Sequence, residues 1–311
     1  MSELPLISIC LPSYNHAKYV KETVESIWSQ SYPNLEIVIV DDCSEDNSRE
    51  VLLALKEISP IPFYVYFNEE NLGPGRNIMK SIDLSNGEYI QLLATDDMLL
   101  PGRFEIEIGH FDSNPKLQII YSNAFSLQDG ELTELCAKQI SLLKNNSAQH
   151  LRDFLLTNKS PFFIQAALFK RSFYYLVGGF DSEVLADDWV FNIRIFSYLA
   201  DHKDLQFGVN TQKVIVYRRH SENLSRRFDR QIKLKEQVIE KYTPEEVKLE
   251  TYKTIFEEQA LMCENHNAPE YAKQCFDILA KEFGDRGLVE MSEDYRAKAD
   301  ALWLRIQYTK A

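Results

Sequence analysis

Pairs of acidic residues follow two apolar, strand-like stretches in the first hundred residues. Asp41 and Asp42 come directly after the run at 36–40, and Asp96 and Asp97 follow a second apolar run. Adjacent carboxylates are costly to remove from water, and a bound divalent cation relieves that cost. A carboxylate at a strand end can also accept a hydrogen bond from a hydroxyl or a ring N–H group. We therefore predict a ligand site at these strand ends.

The same acids could instead have a purely structural role in helix caps and turns. Asp42, Ser44 and Asp46 are residue types that cap helix N-termini, and Asp96 and Asp97 are typical of turns. Either segment taken separately leaves both interpretations open. Their occurrence at two strand ends of one predicted sheet favours a functional site.

Short β-rich runs alternate with helical patterns through the first 125 residues. Strands are predicted at 6–11, 35–40, 63–67, 89–93 and 117–121, and helices at 17–29, 47–58, 75–82 and 102–111. Such alternation indicates an α/β fold with right-handed βαβ units and a mostly parallel central sheet. Ligands of such sheets bind at the carboxyl ends of the strands.

The pattern changes further along the chain. Residues 126–225 are mixed, with strand-like runs at 162–169 and 213–217 around a helical stretch at 188–199. Residues 228–311 are rich in Glu, Lys, Ala and Leu with helical spacing. We predict a catalytic domain over residues 1–225 and a helical C-terminal region over 226–311, which serves for self-association into a homo-oligomer or for acceptor docking.

Composition narrows the functional classes. A formal net charge of −13 argues against nucleic acid as a partner, because phosphate backbones are bound by clustered Lys and Arg. The five cysteines form no Cys-x-x-Cys pair, which favours reduced thiols. No signal peptide and no apolar run of about 18 residues is recognised. We expect the protein to work in the cytoplasm, with peripheral contact at the inner membrane face as an alternative.

Six segments, in order along the first 225 residues, resemble the family-two glycosyltransferases, which have the GT-A fold. The segments are PLISICLPSYN at 5–15, VDDCSED at 40–46, NLGPGRN at 71–77, GEYI at 87–90 leading to Asp96 and Asp97, GGFD at 178–181 with DDW at 187–189 and Arg194, and YRRH at 217–220 with Asn223 and Ser225. Each segment is short, and their common order carries the resemblance.

The resemblance implies a nucleotide pocket. Pro12 and Tyr14 would line the base pocket, Asp42 would hydrogen-bond the uracil, and Arg76 would flank the same pocket. Asp96 would contribute on the ribose side. The donor implied is a nucleotide-diphosphate sugar, in particular a UDP-sugar.

The resemblance also implies a metal site for Mn²⁺ or Mg²⁺. Asp96 and Asp97 would bind the ribose and the metal, with their division of roles left open. His220 would ligate the metal, and Ser225 would lie near the diphosphate. One position departs from the family pattern, because Ala94 stands where the family commonly has an aspartate.

For catalysis, the resemblance implies that Asp188 is the general base, with Asp187 beside it near the acceptor or diphosphate. The activity implied is that of a metal-dependent, inverting hexosyltransferase acting on a saccharide or lipid-linked saccharide acceptor, in surface polysaccharide or glycolipid synthesis. A non-catalytic nucleotide-sugar or carbohydrate-binding protein of the same fold is the alternative, motivated by Ala94. A dinucleotide-dependent oxidoreductase is disfavoured, because the first strand is followed by PSYN at 12–15 rather than by a glycine-rich turn.

Two further features are less informative. Residues 218–235 contain seven Lys or Arg and two acids. This basic segment fits a solvated helix face, attraction of a diphosphate, or contact with an anionic membrane surface. His16 and His110 are interpreted as structural residues.

Overall fold

The computed structural model describes residues 4–159, 162–185, 187–220 and 227–310. The chain divides into two compact units. The first unit comprises Met1–Leu151, Pro161–Ser182 and Phe191–His220, and the second comprises Arg152–Ser160, Glu183–Val190 and Ser221–Ala311.

The strands form one sheet in the order β3-β2-β1-β4-β8-β6-β9-β5, with β7 paired to β6. Their bounds are β1 Ile7–Ser13, β2 Leu35–Asp41, β3 Phe63–Phe67, β4 Tyr89–Leu92, β5 Met98–Leu99, β6 Leu117–Gln128, β7 Glu131–Glu134, β8 Ala167–Lys170 and β9 Gln206–Arg218. The neighbours among β3, β2, β1 and β4 pair in parallel, as do β6 and β9. The pairs β4–β8, β6–β8, β5–β9 and β6–β7 are antiparallel.

The helices between the strands occupy the predicted places in the first half of the chain. The bounds are α1 Val20–Trp28, α2 Ser48–Glu57, α3 Pro74–Asp83, α4 Arg103–Ser113, α5 Ala137–Asn145, α6 Ala148–Thr157, α7 Arg171–Leu176 and α8 Asp187–Asp201. In α1 the buried residues Val20, Thr23, Val24 and Ile27 follow a helical spacing, so one face packs on the core. Every residue of β2 is buried, which explains its near-continuous apolar sequence.

The strand predicted over residues 162–169 is wrong in its first part. Ile164–Ala166 form a 3₁₀ turn, and β8 begins only at Ala167. The turn is fixed by tertiary contacts, because the carbonyl oxygen of Gln165 accepts a hydrogen bond of 2.7 Å from Gln91 Nε2. The strand predicted over 213–217 is part of the longer β9.

Helices also make up the C-terminal part of the chain, as its composition predicts. They are α9 Phe228–Tyr242, α10 Glu245–Asn265, α11 Pro269–Asp285 and α12 Val289–Lys310. In α12 the buried side chains Tyr295, Ala299, Leu302 and Ile306 recur every three or four residues, which places one face of the helix against α11. None of the helices in the described part of the chain has both the length and the apolar character needed to cross a membrane.

Two short segments from the predicted catalytic range belong to the second unit. The N–H of Leu185 donates to Gln237 Oε1 at 2.9 Å, and the Thr243 hydroxyl donates to the carbonyl oxygen of Leu156 at 2.9 Å. These hydrogen bonds join segment 183–190 to α9 and segment 152–160 to Thr243, the residue directly after α9.

Candidate functional site

The carboxyl ends of β1, β2 and β4 lie side by side, because β1 pairs in parallel with both of the others. Ser13 is opposite Asp41, and Cys10 is opposite Leu92. The segments that follow these strands therefore share one edge of the sheet. They carry most of the residues predicted to bind nucleotide and metal.

Asp42 follows β2 and is only 2% exposed. Its Oδ1 accepts hydrogen bonds from Asn68 Nδ2 at 3.0 Å and the N–H of Leu72 at 2.7 Å. Its Oδ2 accepts one from the N–H of Gly73 at 2.8 Å. Gly73 has a φ of 84°, a conformation that favours glycine. A carboxylate offers about four acceptor positions, so these three bonds leave one for a ligand.

Asn68 connects Asp42 to helix α3. Its Nδ2 also donates to Asn77 Oδ1 at 2.6 Å, and its Oδ1 accepts from Lys80 Nζ at 2.7 Å. The segment at 71–77 therefore frames the Asp42 carboxylate, which fixes the direction of its remaining acceptor position.

The other residues predicted for the base pocket differ in exposure. Pro12 is half-buried, and its carbonyl oxygen accepts a hydrogen bond of 3.3 Å from Thr95 Oγ1. Tyr14 is 40% exposed. Arg76 is exposed and lies on the wall of an open cavity of about 440 Å³, which Lys80 and Ser182 also line.

A hydrogen-bonded frame joins the turn after β2 to the segment after β1. Asn15 Oδ1 accepts from the N–H of Glu45 at 2.8 Å, and the N–H of Asn15 donates to Ser44 Oγ at 2.9 Å. Ser44 Oγ in turn donates to Asp41 Oδ2 at 2.6 Å. Of the acids considered as helix caps, Asp46 accepts from the N–H of the first residue of α2 at 2.9 Å, whereas Asp42 has the partners described above.

Asp96 lies in the turn after β4, next to two histidines. His220 Nε2 is 2.9 Å from Asp96 Oδ2, and His16 Nε2 is 3.8 Å from the same oxygen. One ligating atom from each residue lies within 4.8 Å of the others. Atoms that share one divalent ion at bond lengths of about 2.0–2.2 Å lie about 3–4 Å apart. The two distances from imidazole nitrogen to Asp96 are close to this spacing, so this imidazole–carboxylate cluster (His16, Asp96 and His220) is a candidate metal site.

Neighbouring side chains orient both imidazoles of this cluster. His16 Nδ1 lies 2.8 Å from Thr95 Oγ1. The ring of Tyr19 stacks on that of His220, with 4.9 Å between centroids and 28° between planes. The sequence interpretation of His16 as structural overlooked its place beside Asp96. Its position directly after Asn15, in a strand-end segment, was the available signal.

Asp97 is fully buried and lies outside the imidazole–carboxylate cluster. Its Oδ1 accepts a hydrogen bond of 2.8 Å from the N–H of Arg218, while Oδ2 has no hydrogen-bond partner within the described residues. Burial raises the pKa of Asp97 well above its usual value, and the charge of Asp96 adds to the rise. A buried carboxylate oxygen without a partner costs free energy, which a cation close by would offset.

Arg218, at the end of β9, contacts several residues around the imidazole–carboxylate cluster. Its Nε donates to the carbonyl oxygen of Asp96 at 3.0 Å, and its Nη2 lies 2.5 Å from Glu22 Oε2 on α1. The guanidinium also lies over the Tyr19 ring, 5.1 Å from its centroid.

Ala94, the position at which the sequence departs from the family pattern, lies next to an uncharged side chain, that of Gln165. The N–H of Ala94 donates to Gln165 Oε1 at 3.0 Å. No pattern in the sequence indicated this contact, because the two residues are 71 positions apart.

The predicted acceptor-side residues lie in other parts of the chain. Asp188 is in the first turn of α8, is half-buried and belongs to the second compact unit. The side chain of Asp187 and all of Ser225 lie outside the described residues.

Curated proteins are similar in sequence to parts of this chain. A putative teichuronic acid biosynthesis glycosyltransferase, TuaG of Bacillus subtilis, is 36% identical over 104 residues, which are 33% of this chain and 41% of TuaG. The abequosyltransferase RfbV of Salmonella typhimurium is 34% identical over 116 residues, which are 37% of this chain and 35% of RfbV. The chain therefore matches less than half the length of these two relatives.

Solved structures are similar over nearly the whole chain. TarS of S. aureus, residues 1–349 in complex with UDP-GlcNAc, has a TM-score of 0.64 at 16% identity and covers 96% of this chain and 89% of its own. The mannosyltransferase PcManGT of Pyrobaculum calidifontis, in complex with GDP-Man and Mn²⁺, has a TM-score of 0.54 at 17% identity and covers 100% of this chain and 89% of its own. At these identities the likeness concerns the fold, and it confirms the predicted GT-A architecture.

The sequence itself matches a family model over residues 8–175, more than half of the chain. The model is that of glycosyl transferase family 2. Its range includes the ends of β1, β2 and β4 and two members of the imidazole–carboxylate cluster. The chain belongs to glycosyl transferase family 2.

Proposed function

We propose that this chain is an inverting, metal-dependent hexosyltransferase that moves a sugar from a UDP-sugar to a hydroxyl acceptor. One observation carries the proposal. The carboxylate of Asp42, which can accept a hydrogen bond from a base, and two members of the imidazole–carboxylate cluster, His16 and Asp96, follow strands that end at one edge of the sheet. A nucleoside diphosphate needs both kinds of group, one for its base and one for the charge of its phosphates.

The single remaining acceptor position of Asp42 supports uracil as the base. Uracil offers one ring N–H donor, whereas guanine offers two neighbouring N–H groups that would need two acceptor positions. Pro12 and the exposed ring of Tyr14 would line the pocket, and Arg76 would flank it. Asp96 would lie on the ribose side.

The imidazole–carboxylate cluster supports Mn²⁺ rather than Mg²⁺. Mg²⁺ prefers oxygen ligands and keeps its waters, whereas imidazole nitrogens suit transition metals. Asp96, His220 and His16 would hold the ion, with Asp97 behind them at the same turn. When bound, the ion would stabilise the charge that develops on the departing diphosphate.

Asp188 is proposed as the general base. An acceptor hydroxyl is a weak nucleophile at neutral pH, so a carboxylate must take its proton as the new bond forms. Direct attack on the face opposite the leaving group inverts the anomeric carbon. Asp187 and Ser225 are proposed to lie near the acceptor or the diphosphate.

The acceptor is proposed to be a saccharide or a lipid-linked saccharide. The similarity to TuaG, a putative teichuronic acid biosynthesis glycosyltransferase, and to the abequosyltransferase RfbV supports surface polysaccharide or glycolipid assembly. We also propose that the protein works in the cytoplasm and contacts the membrane peripherally through the basic segment 218–235. Helices α9–α12 are proposed to serve for self-association.

A binding protein without turnover is the second candidate. The observation behind it is Ala94, which stands at the position where the family commonly has an aspartate. The N–H of Ala94 donates to the neutral side-chain amide of Gln165.

Slow donor hydrolysis distinguishes the two candidates. With Mn²⁺, the purified chain should release UDP from UDP-hexoses about tenfold or more faster than it releases GDP from GDP-mannose, because a mispaired buried donor costs about 1–3 kcal/mol. Nucleotide release is measured by chromatography. Faster release from GDP-mannose would contradict the role of Asp42, and UDP binding without any release would favour the binding protein.

A further inference from the structure

We propose that Thr95 is a positioning residue for His16. Its hydroxyl holds the imidazole in the Nδ1–H tautomer and thereby presents the lone pair of Nε2 to a metal ion. The inference rests on the metal-dependent function proposed above. It adds a residue that would touch neither nucleotide nor metal.

Thr95 is fully buried and held at both ends. Its Oγ1 lies 3.3 Å from the carbonyl oxygen of Pro12 and 2.8 Å from His16 Nδ1. Its own carbonyl oxygen accepts a hydrogen bond of 2.9 Å from Thr23 Oγ1 on α1. The Thr95 backbone is therefore held in place by a hydrogen bond, and the Thr95 hydroxyl has two defined neighbours.

Counting protons assigns the tautomer. The Pro12 carbonyl can only accept, so the single proton of the Thr95 hydroxyl points to it. Toward His16 the same oxygen must then accept, which requires a proton on Nδ1. In the neutral imidazole that metal binding requires, Nδ1 then carries the one N–H and Nε2 offers its lone pair.

That lone pair lies on the metal side. His16 Nε2 is 3.8 Å from Asp96 Oδ2, too far for a hydrogen bond. A cation between these two atoms would be attracted by both the lone pair and the carboxylate. When histidines bind metals, the remote nitrogen usually donates to a partner that fixes the ring, and loss of that partner costs about 10–100-fold in affinity.

Thr251 provides a matched control. It is also a buried threonine, 2% exposed, and its hydroxyl donates to the carbonyl oxygen of Val247 rather than to an imidazole. Thr251→Val therefore removes a buried hydroxyl without changing a contact of Thr95 or His16. Thr95→Ser keeps the hydroxyl, whereas Thr95→Val keeps only the shape.

The test uses the full chain labelled with ¹⁵N-histidine, with His16→Gln to assign the signals. In metal-free protein at alkaline pH, where the ring is neutral, the imidazole nitrogens of His16 should show the Nδ1–H tautomer, in the unmodified chain and in the Thr95→Ser and Thr251→Val variants. Thr95→Val should shift His16 away from that tautomer. Calorimetry with Mn²⁺ and UDP should give about 10–100-fold weaker Mn²⁺ binding for Thr95→Val, and near-normal binding for Thr95→Ser.

Three results would overturn the inference. The Thr95→Val variant could keep the tautomer, it could bind Mn²⁺ as the unmodified chain does, or Thr251→Val could cause an equal loss. An unmodified chain that binds no Mn²⁺ would instead contradict the proposed metal dependence. The tautomer signals would still decide the contact between Thr95 and His16.

Discussion

Asp188→Asn should lower the rate of sugar transfer by roughly 10²–10⁴-fold while the fold and donor binding stay intact, since this is the usual effect of removing a general base. The amide of Asn cannot take a proton from the acceptor hydroxyl. It can still accept a backbone hydrogen bond at the start of a helix, as Asp does, so a mere capping role would tolerate the change. The measurements are initial transfer rates with the acceptor and UDP affinity by calorimetry.

The control for this variant is Asp201→Asn, the same chemical change at the last residue of the same helix, α8. It should leave transfer unchanged. Near-normal transfer by a well-folded Asp188→Asn protein would give the role to Asp187 or remove it from this segment.

Asp96→Asn should abolish the Mn²⁺-dependent part of UDP binding and lower donor turnover by about 10²–10³-fold, the range for losing one electrostatic contact to a developing charge. Asp96 is the shared neighbour of both histidines, with His220 at 2.9 Å and His16 at 3.8 Å from the same oxygen. Without its charge, two imidazoles would remain to hold the cation. Calorimetry of UDP with and without Mn²⁺ measures the binding effect.

Asp112→Asn, on an exposed position of α4, is the matched control and should behave as the unmodified chain. If Asp96→Asn still bound UDP more tightly in Mn²⁺ than in its absence, the metal would have to be held elsewhere, and Asp97 would be the next residue to change.

The parallel half of the sheet could be predicted from the sequence because its signals are local. The apolar run before Asp41 predicts β2, and β2 is buried along its whole length. Helical spacing in the same way predicts α1 and the C-terminal helices. The strand ends then follow from topology, since parallel neighbours end at the same edge.

The details of the site depend on contacts between distant parts of the chain. His16 and Thr95 are 79 positions apart, and Ala94 and Gln165 are 71 apart. Neither contact leaves a periodic pattern in the sequence. The sequence predicts a strand where the 3₁₀ turn before β8 lies, because the hydrogen bonds of Gln165 with Gln91 and Ala94 outweigh the local β preference.

The grouping of residues into compact units is similarly hard to read from sequence. Segments 152–160 and 183–190 lie among residues predicted to form the catalytic domain, yet they belong to the second unit. The Trp189 indole N–H donates to the carbonyl oxygen of Leu155 at 2.9 Å, which links the two segments directly. Composition could indicate helices after residue 228 but could not indicate which earlier segments join them.

Titrating UDP into the unmodified chain by calorimetry, once with Mn²⁺ and once with a chelator, tests the central claim most directly. We expect the affinity for UDP to be about tenfold or more higher with Mn²⁺, equivalent to about 1.4 kcal/mol, because the cation would join the imidazole–carboxylate cluster to the diphosphate. Uridine, which has no phosphates, should bind equally with and without the metal. Equal UDP affinity in the two titrations would contradict a metal-dependent nucleotide site in this chain.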